Sequence, residues 1–481
     1  MRSIPATAPL PTLTTIPRRT GNVQHSEPGR LPDRPPDRGA RERSASEHSP
    51  VREHSSARGP RLAWLDALRG VGALCVVYAH FGARLFTPVH AAVYRVFDPG
   101  LYGVLVFFLI SGYIVPASLE RKGSVRAFWI SRLFRLFPLF GFVIAITLLL
   151  HLVGLASLQG TNHNVAAAVL SHLFMLNDLL GQNNLLVVIW TLSYEMVFYL
   201  LLTALFTARL HQHSGTFAVA FATGALLLGG TLPSIWLSRN LAPTAVALVS
   251  DVLLLAGLAA ALSGRRLLGA VGAWLAAGTG LTLLVLNERR YAYEGLAILA
   301  LMFTGTLLYR AHRGQVNRGR AAALAAAVVA AAVAAGAWHI PGVSPAADPG
   351  RLQVQWVTSV ALAGLTFAVG LTLRNVRVPA ALAWLGLVSY SVYLLLPVLL
   401  NVYDSLPLGP AFRHVGWVEA VTAVVVLTAL LGCAALTYAL VEAPMQRLGR
   451  RVTARLDRRQ SSPAAIPRER SQGAVLVSSR A

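Results

Sequence analysis

The chain has 481 residues, 55% of them hydrophobic and 13% charged, with a mean hydropathy of +0.57. A soluble globular domain carries about 25% charged residues, so an ordinary water-soluble fold is excluded. The 42 Lys and Arg outweigh the 20 Asp and Glu, giving a net charge of +22. The arginines gather in the two ends and in alternate loops, which reads as membrane topology rather than a nucleic-acid footprint.

Residues 1–60 are rich in Arg, Pro, Ser and Glu and have no apolar period, which predicts a disordered basic cytoplasmic tail. The first apolar segment, 63–83, contains Arg69 and, eleven residues later, His80. Eleven helical steps make three turns plus about 20°, so both side chains share one face, roughly 16 Å apart. Asp66 lies on that face one turn before Arg69. A membrane helix gains nothing from such a stripe unless something polar sits beside it. A neutral imidazole with an ordinary pKa near 6.5 can take a proton from a hydroxyl. The plainer alternative is a juxtamembrane Asp–Arg pair plus a structural histidine.

The second span, 101–119, holds Phe107-Phe-Leu-Ile-Ser-Gly-Tyr113, where Ser111–Gly112 permits close helix approach. Arg121, Lys122 and Arg126 follow as topogenic charge. Arg132 and Arg135, at i and i+3, share a helical face just before Pro138. Their guanidinium forks suit phosphate oxygens, with topogenic charge as the competing account. The third span is 137–156, and the short apolar piece at 165–176 is interfacial or re-entrant. In the span 186–207, Trp190-Thr-Leu-Ser-Tyr-Glu195-Met-Val-Phe-Tyr199 places a carboxylate inside the membrane, where an unpaired one is costly. Glu195 either pairs structurally with an intramembrane cation or serves the chemistry.

Further spans follow at 216–238, 242–263, 267–286, 293–310, 321–339, 354–373, 380–401 and 416–441. That makes twelve, or ten to eleven if the Gly- and Ala-rich segments do not all cross. Ser389-Tyr390-Ser-Val-Tyr393 offers tyrosines of the interfacial kind, and Glu442-Ala-Pro444 offers a carboxylate placed to pair with Arg447. Residues 447–481 read as a second disordered basic tail, leaving 61–446 as the transmembrane domain. Basic residues concentrate in alternate loops, so both termini are expected in the cytoplasm, with the protein in the cell membrane. The expected fold class is all-α, a polytopic helical bundle of about 10–12 transmembrane helices. Cys75 and Cys433 give neither a disulfide framework nor a metal spacing. There is no Walker loop, no His-Glu-x-x-His and no Gly-x-Ser-x-Gly elbow, so no metal is expected.

Taken together, six segments in order resemble the membrane-bound acyltransferase 3 family, in its stand-alone form. They are Leu65-Asp-Ala-Leu-Arg-Gly70 with His80, Phe107 to Tyr113, Phe128-Trp-Ile-Ser-Arg-Leu-Phe-Arg-Leu-Phe-Pro138, Trp190 to Tyr199, Ser389-Tyr-Ser-Val-Tyr-Leu394 and Glu442-Ala-Pro444. The resemblance covers residues from about 60 to 450. It implies an integral-membrane O-acyltransferase moving an acyl group, commonly acetyl, from acyl-coenzyme A to a hydroxyl of a glycan or macrolide-type natural product. By motif match, Arg69 and His80 are the paired arginine and histidine, and Arg132 and Arg135 the phosphate-binding pair. The expected roles are His80 as general base or as relay of the acyl group in a two-step transfer, Arg69 with Asp66 holding the bundle open or stabilising the thioester oxyanion, and Glu195 orienting a histidine or the acceptor hydroxyl. Acyl-coenzyme A would be a donor substrate rather than a tightly bound cofactor, and the lipid bilayer a partner. The family often has a histidine shortly after the Ser-Tyr-x-x-Tyr-Leu stretch, where this chain has Leu395, Leu396 and Pro397. The main rival is a twelve-span transporter of an antibiotic or glycan precursor; a third reading is a membrane scaffold with basic tails.

Overall fold

The computed structural model describes residues 62–156, 165–231, 233–343, 348–405 and 416–461. Every regular element among them is helical. In chain order these are α1 (Ala63–Leu85), α2 (Thr87–Val93), α3 (Pro99–Lys122), α4 (Val125–Leu152), α5 (Val165–Phe174), α6 (Trp190–Thr207), α7 (Ser214–Leu228) and α8 (Trp236–Asn240). They continue with α9 (Pro243–Ala261), α10 (Arg266–Leu286), α11 (Ala292–His312), α12 (Arg318–Val343), α13 (Pro349–Thr372), α14 (Ala380–Ser405), α15 (Gly416–Thr437) and α16 (Ala443–Ser461). The expected tail at 1–60 and the stretch 462–481 lie outside the described residues.

Ten of the described helices are long and apolar enough to cross a membrane. They are α3, α4, α6 with the short 3-10 turn before it, α9 to α14, and the continuous Gly416–Leu456. Ten by length and composition falls within the expected range of ten to twelve. The segment expected at 216–238 stops as a helix at Leu228, giving only 15 residues. α1 has 23 residues but carries Asp66, Arg69, His80 and Arg84 and is not among the ten. It lies against α3 and α14, so its polar stripe has protein for company. The piece expected to be interfacial or re-entrant is α5, at 10 residues too short to cross.

Burial shows which helices are central. The apolar window of α11 is 89% buried and that of α6 83%, against 17% for Gly416–Leu456. Backbones in this centre come together at small residues, the usual solution where lipid offers no hydrophobic drive. Gly112 of α3 sits directly on the Met302 carbonyl of α11, and Thr306 Oγ1 donates to the Gly112 carbonyl at 2.8 Å. Gly386 of α14 sits as closely on the Asp66 carbonyl of α1. Any side chain at either glycine would drive the paired helices apart.

The turn from α3 to α4 is tight for local reasons. Gly123 adopts φ +61 and ends α3, and Ser124 Oγ accepts from the Ala127 amide at 3.3 Å to begin α4. Two residues therefore reverse the chain. As a result Arg132 lies against Ser118, donating from Nη2 to its Oγ at 3.2 Å.

The boundary expected at residue 447 falls inside a helix. α15 passes through a π-helical turn, Tyr438–Glu442, into α16, which runs to Ser461 and packs on α4. Its composition is arginine-rich, but Met445, Leu448, Val452 and Leu456 recur at helical spacing, and that periodicity makes an amphipathic helix.

Candidate active site

Five helices converge on a chamber of about 90 Å3. α1 contributes Arg69, α3 Ser111, α4 Arg135, α6 Thr191 and Glu195, and α14 Tyr390 and Tyr393. Phe107 and Phe108 complete an apolar wall. Arg69 is ion-paired to Asp66 at 3.8 Å. Among the described residues no cation lies within ion-pair distance of Glu195; instead it accepts from Ser111 Oγ at 3.3 Å and from the Tyr199 hydroxyl one turn on. Of the two alternatives for Glu195, the structural ion pair is not formed; two hydroxyls donate to the carboxylate instead. Tyr390 and Tyr393, expected as interfacial aromatics, face this chamber. Tyr390 donates to the Leu136 carbonyl at 2.9 Å. Tyr393 shares a hydrogen bond with Thr191 Oγ1 at 2.8 Å.

A second cavity, about 400 Å3, opens at the end of the bundle that carries α16. Arg121, Lys122, Arg132, Arg135 and Arg450 line it, and none of its lining residues is a carboxylate. Arg132 is 6% exposed, held between the rings of Phe128 and Tyr199 at 5.4 and 5.6 Å. Its Nε is buried without a hydrogen-bond partner. Arg135 lines both cavities. It is the one cation common to a small inner chamber and a wide basic mouth.

His80 does not line the chamber. It follows Arg69 on the same helical face, and its carbonyl accepts from Arg84 Nη1 at 2.9 Å. The charged groups acting on it are Arg84 and Asp98, the N-cap residue of α3. On α3 the chamber reaches Val104, one turn from Gly100, whose α-carbon faces Ala79. The histidine therefore stands about one turn beyond the chamber's far end. Arg69, Arg135 and Glu195 are brought together; Asp66 joins through Arg69, Arg132 through the basic mouth, and His80 lies farther along the same line.

Glu442, expected to pair with Arg447, is buried and accepts from Ser391 Oγ at 3.1 Å and Gln446 Nε2 at 3.0 Å. Two modest motifs thereby prove to be neighbours. A further polar cluster had no reading in the sequence. At the end of the bundle away from α16, the loop between α10 and α11 buries Glu288, whose carboxylate accepts from the Tyr194 hydroxyl. Arg290 lies 4.2 Å over the Trp190 ring and donates to Glu294 at 3.1 Å. Asp178 accepts from Asn184 at 3.3 Å. Burial and then the neighbouring Glu294 hold the Glu288 carboxyl well above the ordinary carboxylate range. Burial also pushes Asp178 up, against the pull of Arg290 and Arg289. Asp251 of α9 is buried too, and neither carboxylate oxygen has a hydrogen-bond partner. Among the described residues no group of three or more His, Cys, Asp or Glu is placed to hold a metal ion.

The arrangement carries the paired arginine and histidine of α1 and the double arginine of α4 in one bundle, and residues 62–439 match the acyltransferase domain of that type. The chain belongs to the acyltransferase 3 family. Among curated proteins, this acyltransferase-family chain is 30% identical over 193 residues to nodulation protein 10 of Rhizobium leguminosarum bv. viciae, covering 36% of this chain and 51% of that one. It is 35% identical over 82 residues to acyltransferase MdmB of Streptomyces mycarofaciens, covering 16% and 21%. The aligned parts span about half of the first relative and a fifth of the second. No solved structure matches the chain. The family match favours an acyltransferase over the transporter and scaffold readings.

Proposed function

We propose that this family member is a multi-pass O-acyltransferase that takes an acyl group, in this reading acetyl, from acyl-coenzyme A and places it on an acceptor hydroxyl. The observation that carries the reading is the sharing of Arg135 between a wide basic mouth and a narrower chamber. A donor with a polyanionic end and a thin neutral arm fits that sequence of spaces. Its phosphates meet Arg132 and Arg135 as charge-assisted, forked contacts. Its thioester passes Arg135 into the chamber, whose volume of about 90 Å3 suits a short acyl group.

In the proposed step, neutral His80 takes the proton of the acceptor hydroxyl while that oxygen attacks the thioester carbonyl. Arg69, steadied by Asp66 and about three helical turns from His80, holds the chamber open around the donor's arm. The carbon–sulfur bond then breaks, the thiolate of coenzyme A leaves, and the histidine's proton goes to it. Glu195, held by Ser111 and Tyr199, orients the reacting groups in the chamber. Because His80 lies beyond the chamber on the side away from the mouth, the acceptor enters from the opposite end. With both termini in the cytoplasm of a cell-membrane protein, donor and acceptor come from opposite faces of the bilayer. Hydroxyls of a surface glycan or of a macrolide-type product are the acceptor classes this reading takes.

The test is purified protein in lipid nanodiscs with labelled acetyl-coenzyme A and candidate acceptors. Wild type should transfer label and His80→Ala should not. Label transfer by His80→Ala at the wild-type rate would remove the proposed base. Coenzyme A binding by the wild type separates the enzyme from a transporter, which has no use for it.

A further inference from the structure

A cation at the outer edge of the basic mouth comes from α16, the helix that follows the last span and begins beyond the matched family domain, which ends at residue 439. Three observations place it there. The π-helical turn at Tyr438–Glu442 joins α15 to α16 without a break, and Ser391 and Gln446 fix it by donating to the Glu442 carboxylate. Gly449, buried, lets α16 settle onto the Phe134 ring of α4; a larger residue would lift it away. Gln446, Arg450 and Thr453, at helical spacing, then form the cavity wall shared with Arg132 and Arg135.

The wall has the chemistry of a polyphosphate site. Its cations have no carboxylate among the lining residues, and buried Arg132 keeps an unpartnered Nε. Depth then orders the ligand. Arg132 is buried and Arg135 reaches the chamber, whereas Arg450 of α16 and Arg121 of α3 are exposed at the edge. A coenzyme A thioester with its acyl end in the chamber presents, moving outward, the pantetheine arm, the diphosphate and the 3′-phosphorylated adenosine. We infer that α16 is part of the donor site, and that Arg450 recognises the 3′-phosphate while Arg132 and Arg135 hold the diphosphate. This rests on the acyl-coenzyme A reading above. It deepens that reading by making the C-terminal helix a specificity element, one that distinguishes the full coenzyme from forms lacking the terminal phosphate.

The test compares coenzyme A with 3′-dephospho-coenzyme A, using the full chain in nanodiscs with and without phosphatidylglycerol. Titration calorimetry gives the Kd ratio, and labelled acetyl transfer from the two acetylated donors gives the kcat/KM ratio. Wild type should prefer the phosphorylated form by about tenfold, and Arg450→Ala should reduce the preference to about one. Arg450→Lys should restore part of it, because the charge remains while the fork is lost. Arg132→Ala should weaken both ligands alike. A preference that survives in Arg450→Ala overturns the inference. So does an effect of Arg450→Ala that appears only with phosphatidylglycerol, which would assign the mouth to a phospholipid headgroup. Coenzyme A bound with the expected ratio but never used as a donor would overturn the acyltransferase reading and leave this inference standing. No binding of coenzyme A by the wild type would overturn both.

Discussion

Two regions of the bundle bury charge, and they do so to different ends. Around Arg69, Arg135 and Glu195 the charged groups surround empty space; Arg69 is held from behind by Asp66, and Glu195 by the hydroxyls of Ser111 and Tyr199. Around Asp178, Glu288, Arg290 and Glu294 they close on one another and on Tyr194 and Trp190. Asn287 ties the same loop to α8 and to the segment before α6, accepting from the Ser238 amide and donating to the Leu179 carbonyl, both at 2.8 Å. The first arrangement leaves its charges available to a ligand; the second spends them on joining loops. Burial of charge alone therefore does not mark a candidate site; burial around a cavity leaves room for a ligand.

The largest effect that separates the two regions is expected at Arg135. Arg135→Ala should lower acetyl transfer by about 100-fold, the scale for removing a charge-stabilising group from an active site. It should scarcely change the melting temperature in detergent, because no carboxylate is left without its partner. A large loss of stability with activity per folded molecule intact would make Arg135 a structural residue and erase the contrast.

Glu288→Ala should show the reverse, costing about 1–3 kcal/mol of stability by leaving the buried Tyr194 hydroxyl without its acceptor. Donor Kd should stay at the wild-type value, since Glu288 lines neither cavity. A Kd weakened by this change would join the knot to the site.

A smaller effect should appear with pH. The native carboxyl of Glu288 keeps its proton well above the ordinary range, whereas a glutamate in the unfolded chain ionises near a pKa of about 4.3. Between those values the unfolded state has lost a proton that the folded state retains, so stability falls as pH rises. Glu288→Gln should flatten that slope in thermal unfolding scans, and an unaltered slope would place the titration elsewhere. Smallest of all, Ser111→Ala removes one long hydrogen bond to Glu195 and should lower kcat only a few-fold, on the order of 1 kcal/mol. A loss as large as that of Arg135→Ala would make Ser111 part of the chemistry.

The sequence made the contents of single helices legible, because a helix repeats itself. The shared face of Arg69 and His80, the pair at Arg132 and Arg135, and the close approach at Gly112 all follow from a period of about 3.6 residues. Convergence was not legible. Tyr393 meets Thr191, and Ser391 meets Glu442, across helices that local spacing does not relate. The chamber's position relative to His80 depends on how α1 and α3 cross, and no motif states that. α16 was hidden by composition: its arginines resemble a disordered tail, and the repeat at Met445, Leu448, Val452 and Leu456 is sparse. Glu288 escaped notice because Asn-Glu-Arg-Arg at 287–290 looks like any charged loop; only its packing under Tyr194 makes it unusual.

The most direct measurement is an experimental structure of the full chain in lipid with a non-hydrolysable acetyl-coenzyme A analogue. The diphosphate should lie within hydrogen-bonding distance of Arg132 and Arg135, with the pantetheine arm in the chamber beside Arg69 and the acyl carbonyl at the chamber's far end, directed toward His80. An analogue seated elsewhere in the bundle, with that chamber filled by lipid or by collapsed side chains, would contradict it.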